Sequence, residues 1–368
     1  MKVLLTGANG FIGQNLRFAL AEQGCHTVLE ATRATSPSEL QELIAEAEAV
    51  IHLAGVNRPT DPKEFASGNA EFTLGFCRLL AAGGKAPPVA FASSIQAALD
   101  NPYGRSKQAA EDNLRSYATE TGAGVAIYRL PNVFGKWCRP NYNSAVATFC
   151  HRLARGQAIQ INDPAAKVRL VYIDDVVRQL VAFLEHPPTE FGLADVSPEY
   201  SITVGELADQ LRAFAGVRDD LVTERVGEGL VRALYATYLS YLPPSDFSYA
   251  VPQHVDQRGV FVEMLKTKDS GQFSFFTAHP GITRGGHYHH TKTEKFLVIR
   301  GRARFNFRNV VSDEYHSLET NGDTPVIVET VPGWSHDVTN VGDDELIVML
   351  WANEIFDRAR PDTIASKV

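Results

Sequence analysis

The chain has 368 residues, 44% of them hydrophobic, which is too much for one growing core and suits two domains. A formal net charge of -8, from 35 Lys and Arg against 43 Asp and Glu with no long basic run, excludes a nucleic-acid footprint but not an anionic substrate. The four cysteines (Cys25, Cys77, Cys138, Cys150) form no C-x-x-C pair and argue against a disulfide framework; no apolar stretch reaches ~18 residues, so we expect no membrane insertion and a cytoplasmic location.

In chain order, residues 2–5 form a strand-length apolar run ending in small residues. Residues 12–23 read as a helix with Ile12, Leu16, Ala19 and Leu20 on one stripe. His26–Glu30 suits a second strand, 39–48 a helix and Val50–Leu53 a third strand. A helical stretch over 63–82 stops at Gly83-Gly84. Val89–Ala92 is the next strand, followed by a helix from Tyr103 to Thr121 that Gly122 can end, then the strand Val125–Leu130. This alternation predicts an α/β Rossmann-type domain, its parallel sheet covered on both faces. Thr203 and Glu206 have capping-box spacing, so a helix begins there. After Tyr241–Ser245 the pattern becomes short strands between Gly, Asn, Asp and Pro turns, with Ala303, Phe305 and Phe307 alternating against Arg304, Asn306 and Arg308. We therefore expect an α/β domain over 1–245 and an all-β domain over 246–368.

Two groups of residues carry chemistry in the first domain. Thr6-Gly7-Ala8-Asn9-Gly10-Phe11-Ile12-Gly13 lies between strand and helix, where a glycine turn and free helix amides receive a dinucleotide diphosphate. Glu30 is placed to accept from an adenine-ribose hydroxyl and Arg33 to pair with a 2′-phosphate; we expect NADPH. Tyr103 and Lys107, at i and i+4, share one helix face. The ammonium is expected to depress the tyrosine pKa and to hold the nicotinamide ribose, with the phenol exchanging a proton with substrate. Ser93 or Ser94, at the preceding strand end, would bind the substrate carbonyl.

In the second domain, His287, His289 and Glu294 stand in a G-x5-H-x-H-x4-E-x6-G pattern, and Pro332–His336 supplies His336. By period two, His287 and His289 face one way. Three imidazoles and one carboxylate suit Zn²⁺, Fe²⁺, Mn²⁺ or Ni²⁺, and zinc is our expectation. Tyr288 and His290 are further acid–base candidates, and Lys295 faces the site if the strand register continues.

The first set resembles the extended short-chain dehydrogenase/reductase family, which works on nucleotide sugars. His52-Leu53-Ala54-Gly55 looks like that family's third strand end along the cofactor, Asn69 like its helix asparagine, Arg129–Gly135 like the segment after its sixth strand, and Val171–Val176 like its late strand-to-helix motif. The resemblance implies that Leu53, Ala54, Gly55 and Asn69 meet the cofactor. Ser94 lies only nine residues before Tyr103, closer than is typical of the family, so the intervening loop must be short. The second set resembles both cupin motifs, a jelly-roll fold. Arg284–Tyr288 is similar to a segment of deoxysugar 3,5-epimerases, where the matching histidine is a general base, so His287 is ligand or base.

A reductase fused to a cupin resembles a family of bifunctional capsular and O-antigen enzymes on the route to UDP-N-acetyl-L-fucosamine. The resemblance implies a UDP-sugar substrate, UDP-2-acetamido-2,6-dideoxy-β-L-arabino-hexos-4-ulose, with C3 epimerised by the cupin and the C4 ketone then reduced by the first domain. It also implies a homodimer, which pairing of exposed barrel edges would favour. The competing readings are a single-activity reductase or epimerase with a dimerising cupin, and a non-catalytic sugar-nucleotide binder.

Overall fold

In the computed structural model, residues 1–251, 253–256, 259–262, 265–267, 271–354 and 359–368 are described. They divide into two compact units: Met1–Ser144 with Val168–Ser201, and Ala145–Lys167 with Ile202–Val368.

The first unit begins with β1 (Lys2–Thr6), α1 (Phe11–Gln23), β2 (Thr27–Ala31), α2 (Pro37–Glu46) and β3 (Ala49–His52). It continues through α3 (Phe72–Ala82), β4 (Val89–Ser94), α4 (Pro102–Thr121), β5 (Val125–Leu130) and β6 (Asn132–Phe134). The helix α5 (Ala145–Leu153) belongs to the second unit. β7 (Lys167–Tyr172), α6 (Ile173–Glu185), β8 (Phe191–Ala194) and β9 (Glu199–Thr203) follow. Six strands form one parallel sheet in the order β2-β1-β3-β4-β5-β8. Its central strands are nearly continuous apolar runs because both faces are covered: Val3, Leu4, Leu5, Val50, Ile51, Val89, Phe91, Val125 and Ile127 are all buried. This is the Rossmann-type sheet expected from the alternation. The strand order reverses at β1, so the crevice beyond the carboxyl ends of β1 and β3 is where such a sheet receives a ligand.

Two helices differ from expectation for local reasons. α2 starts at Pro37 because Ser36 and Glu39 form a reciprocal capping box ahead of it. The expected helix over 63–82 is interrupted: a π-helical segment, Ala66–Glu71, precedes α3. Such segments often mark functional positions, and this one contains Asn69.

In the second unit, Thr203 and Glu206 form both bonds of the expected capping box and open α7 (Val204–Asp220). Then come β10 (Val222–Thr223), α8 (Gly229–Leu239), β11 (Ser248–Ala250), β12 (Gln253–Asp256), β13 (Gly259–Val262), β14 (Lys266–Thr267), β15 (Gln272–Ala278), β16 (Thr283–Tyr288) and β17 (Glu294–Arg300). The remaining strands are β18 (Arg302–Asn309), β19 (Tyr315–Asn321), β20 (Val326–Glu329), β21 (Trp334–Asn340), β22 (Leu346–Ala352) and β23 (Ile364–Ala365). Two five-stranded sheets result, β11-β20-β17-β22-β15 and β19-β18-β21-β16-β23. Phe296 of the first meets Phe305 of the second with ring centroids 5.6 Å apart, and Phe247 packs edge-on to Trp334 at 4.8 Å. The period-two pattern at 303–307 is thereby explained: Ala303, Phe305 and Phe307 are the buried face of β18.

Lys295 is fully buried in β17, and its register carries it away from Glu294. Its ammonium donates to the Glu329 carboxylate and, at 3.1 Å, to the Tyr249 hydroxyl. Glu329 also accepts from Arg218 at 2.9 Å. Burial works against both charges. The opposite charge outweighs it, holding Lys295 above and Glu329 below their ordinary values. Lys295 is thus part of a structural ion network, which corrects its placement as a residue facing the histidines. Glu329→Leu should lower stability by about 3–5 kcal/mol, because it strands a buried ammonium, while Lys295→Met/Glu329→Leu should recover most of the loss. Denaturation followed by tryptophan fluorescence in a Trp137→Phe background, where Trp334 and Trp351 report on this unit, checks both.

Candidate active sites

The first site is a cleft of about 510 Å³ beyond the ends of β1, β3 and β4. Its floor is the turn into α1. Gly7 has φ +71°, and a Cβ there would lie 2.8 Å from Ala54 N, so the turn and the end of β3 can close only around glycine. No acidic residue occupies the first turn of α1, which leaves its free amides and positive dipole end for an anion.

Asn69 fixes the next wall. Its Oδ1 accepts from Val56 N–H at 2.8 Å; its Nδ2 donates to the Val56 carbonyl and to Ser106 Oγ, both at 2.9 Å. Ser106 in turn donates to the Tyr103 carbonyl at 2.7 Å. The β3 loop is thereby joined to the helix that carries Tyr103 and Lys107.

Tyr103 and Lys107 both line the cleft, but Lys107 does not act on the phenol as expected. Its ammonium donates to the Ala92 carbonyl at 2.8 Å and sits 4.4 Å from the centre of the Phe91 ring. Burial pushes the Tyr103 phenol up, opposed by a hydrogen bond with Ser94. Burial likewise pushes Lys107 down, to about 8, against the pull of Glu111. Sharing a helix face was therefore insufficient to couple the pair; desolvation dominates both. The two serines separate cleanly. Ser93 Oγ donates to Glu111, itself paired with Arg129 at 2.6 Å, whereas Ser94 meets Tyr103 and accepts from Gln96 N–H at 3.2 Å.

The short connection from Ser94 to Tyr103 is a 3-10 turn, Ile95–Ala98, followed by Asn101, which caps α4 by accepting from Gly104 N–H at 2.8 Å. A Cβ on Gly104 would lie 2.2 Å from the Gln96 carbonyl oxygen. The turn can press so closely on α4 only because glycine follows the tyrosine.

The second site lies where β16, β17 and β21 meet. One ligand atom from each of His287, His289, Glu294 and His336 lies within 4.8 Å of the others. A bulge between Gly285 and His287 re-aims His287, which then stands opposite His336. β16 ends at Tyr288, so His289 follows the strand rather than completing it. His289 Nδ1 faces the Asp362 carbonyl, which fixes the proton there and turns Nε2 to Glu294 at 3.2 Å. His336 Nε2 is buried without a hydrogen-bond partner and lies 3.6 Å from the same carboxylate oxygen. Two ligands on a tetrahedral ion sit about 3.4 Å apart, so an unpartnered buried nitrogen in this donor set fits a cation. Burial and the two neighbouring imidazoles push His287 down to about 4, leaving it neutral. Lys292, which sequence reasoning missed, donates to Glu294 Oε1 at 2.8 Å and leaves Oε2 for the histidines. It lies inside the x4 interval of the motif, where spacing gave it no distinction.

Residues 3–193, more than half of the chain, match the model of the NAD dependent epimerase/dehydratase family. The chain belongs to that family. Family membership makes it an enzyme that uses a nicotinamide dinucleotide. Residues 254–364 match a polysaccharide biosynthesis C-terminal domain. Along its whole length the chain is 58% identical to a UDP-2-acetamido-2,6-beta-L-arabino-hexul-4-ose reductase of Pseudomonas aeruginosa, covering 99% of that protein. It is also similar to the capsular polysaccharide assembling protein CapF from Staphylococcus aureus, at 43% identity and a TM-score of 0.69, each chain covered completely. A UDP-glucuronic acid 4-epimerase from Bacillus cereus, 20% identical with a TM-score of 0.54 over 59% of this chain and 85% of its own, shares the fold alone.

Of the family-type cofactor residues expected from sequence, Gly7, Asn9, Gly10, Phe11, Ile12, Gly13, Leu53, Gly55 and Asn69 line the cleft with Ser94, Tyr103 and Lys107. Ala54 instead donates its N–H to Thr6 Oγ1 at 3.2 Å, behind the turn. Arg33 is exposed in the loop after β2 and is not among the lining residues, while Glu30 is paired with Arg17 at 2.7 Å. Trp137, Arg139 and Tyr142 line the cleft unforeseen; the Tyr142 hydroxyl donates to Asn57 Oδ1 at 2.9 Å, linking two walls. Gly104→Ala should lower the unfolding temperature, whereas Gly75→Ala, at an exposed α3 position with nothing within 4 Å of the new Cβ, should add about 0.5–1 kcal/mol. Thermal denaturation of the two variants makes the comparison; a neutral Gly104→Ala would contradict the close packing of this loop.

Proposed function

We propose that this enzyme is bifunctional, epimerising C3 of UDP-2-acetamido-2,6-dideoxy-β-L-arabino-hexos-4-ulose at the histidine cluster and reducing its C4 ketone at the dinucleotide cleft. The product is UDP-2-acetamido-2,6-dideoxy-L-talose. The supporting observation is the pairing, in one chain alike throughout to a sugar-nucleotide reductase, of a Ser94–Tyr103 contact at the cleft with a buried three-histidine, one-carboxylate cluster.

When bound, NADPH supplies the hydride for C4. In our reading Tyr103 gives its hydroxyl proton to the carbonyl oxygen as C4 is reduced, Ser94 holds that oxygen, and Lys107 holds the nicotinamide ribose. The turn from Gly7 to Gly13 takes the diphosphate. We assign NADPH over NADH because the Glu30 charge is already answered by Arg17, while Arg33 stands exposed beyond β2.

The C4 ketone acidifies the C3 proton. A base can remove it, charge passes to the ketone oxygen as an enediolate, and return of a proton to the other face inverts C3. When bound, a divalent cation, zinc in our assignment, supplies positive charge that favours this ionisation. His289, Glu294 and His336 would hold it. His287, the most exposed of the four, is the fourth ligand or the base.

We further assign residues 1–245 to the reductase and 246–368 to a cupin-type jelly roll, because the two family matches fall on either side of that boundary, although 145–167 and 202–245 pack within the second compact unit. We place the enzyme in the cytoplasm, as a homodimer joined through its second domain. Phe273 and Phe275 are exposed on β15, an edge strand of the first five-stranded sheet. Among the described residues, no helix is long and apolar enough to cross a membrane.

Two measurements test the chemistry. Tyr103→Phe should slow NADPH oxidation by the 4-keto sugar by at least about 100-fold while leaving NADPH affinity near that of the unaltered enzyme; near-normal turnover would overturn the assignment. In deuterated water without NADPH, the full-length enzyme should exchange the C3 proton, as seen by NMR, and chelation should stop this without unfolding the chain. Exchange that survives metal removal would leave a side-chain base and make the cation structural. Absence of exchange in metal-loaded enzyme would defeat the epimerase half.

A further inference from the structure

The loop that carries His289 and leads into Glu294 lies between β16 and β17 and depends for its shape on a residue 70 positions away. Asp362 Oδ1 accepts from His290 N–H at 2.8 Å. Its Oδ2 accepts from Thr291 N–H and Lys292 N–H, both at 2.7 Å, and from Thr291 Oγ1 at 3.0 Å. The Asp362 carbonyl faces His289 Nδ1. Immediately beyond, β23 pairs with β16, setting Ile364 against Tyr288 and Ala365 against His287. Ser366 N–H donates to the Gly286 carbonyl at 2.9 Å, and Arg308 holds the Lys367 carbonyl at 2.7 Å. One short segment therefore borders the strand of His287 and the loop of His289 together.

A carboxylate that accepts from three consecutive backbone N–H groups fixes a loop firmly, because bonds to an ionised acceptor are about twice as strong as neutral ones. The carbonyl adds a separate effect. With the His289 proton held at Nδ1, the Nε2 lone pair is left for the cluster, and ring orientation is set with it. We propose that Asp362 is a positioning residue of the metal centre: its carboxylate shapes residues 290–292 and its carbonyl orients His289, so that Nε2 of His289 and the Glu294 carboxylate meet at one point. This inference rests on the cation reading given above and assigns the centre a support from outside both histidine motifs.

The test uses the full-length protein and the variants Asp362→Ala and Asp362→Asn, with Arg308→Ala as a control that loosens the same segment away from the loop. Zinc affinity, measured by competition with a chromophoric chelator, should fall about 10–100-fold for Asp362→Ala, less for Asp362→Asn, and little for Arg308→Ala. The visible spectrum of the cobalt-substituted protein should change in Asp362→Ala, a signature that a general loss of stability would not produce. Hydrogen exchange at the amides of 290–292 should quicken in metal-free Asp362→Ala. Unchanged affinity and cobalt spectrum in Asp362→Ala would overturn the proposal. If the unaltered protein takes up neither metal, the cation reading fails. Hydrogen exchange then decides the positioning claim alone: faster exchange upholds the loop anchor and unchanged exchange rejects it.

Discussion

Burying an amide or carboxylate side chain against loop backbone carries a desolvation penalty that only a nearly complete set of hydrogen bonds offsets, and both sites in this chain are built under that constraint. In the first unit the buried group is Asn69, whose amide answers both backbone groups of Val56 and reaches Ser106. In the second unit the corresponding group is the half-buried Asp362, answered by three successive N–H groups and a hydroxyl. In each case the side chain takes the place of a strand partner for backbone that must leave the sheet to reach a site. The sheets supply position to within a residue or two; these side chains set the final direction.

The same principle separates residues of similar appearance. Ser93 and Ser94 are adjacent at the end of β4, yet alternate side-chain direction sends one inward to Glu111, which Arg129 pairs with, and the other toward Tyr103. Glu294 and Lys295 show it again at the start of β17. The carboxylate enters the histidine cluster, and the ammonium enters an ion network with Glu329, Arg218 and Tyr249.

Features written in contiguous residues were legible in the sequence. The glycine turn after β1, the helix carrying Tyr103 and Lys107 and the Thr203 capping box depend on local geometry and stand where their patterns placed them, while His287, His289 and Glu294 converge through a bulge and a loop rather than along one strand face as period two suggested. Side-chain aim was less legible. The i, i+4 spacing put Tyr103 and Lys107 on one face but could not show that the Ala92 carbonyl would draw the ammonium. Nor could it show that Lys295 would find Glu329 across the sheet. Asp362 was invisible for a similar reason. Most of its partners are backbone amides, which leave no trace in residue type. The close loop between Ser94 and Tyr103 was noticed as a short spacing, but its cause lay in Gly104, whose missing Cβ admits the Gln96 carbonyl.

The shift of the Tyr103 phenol bears on the proton transfer proposed for its cleft. A tyrosine that removes a proton from an alcohol benefits from a depressed pKa, which is what a nearby ammonium was expected to supply. Burial instead holds this phenol protonated, with Ser94 opposing only in part. A protonated phenol is the form required to deliver a proton to the oxygen of a ketone undergoing reduction, and a buried one avoids losing that proton to bulk water first. Lys107, brought down to about 8 by the same burial, retains its charge through neutral pH while remaining close to its own transition. The protonation of this pair is therefore set by desolvation rather than by the Tyr–Lys coupling that the spacing suggested.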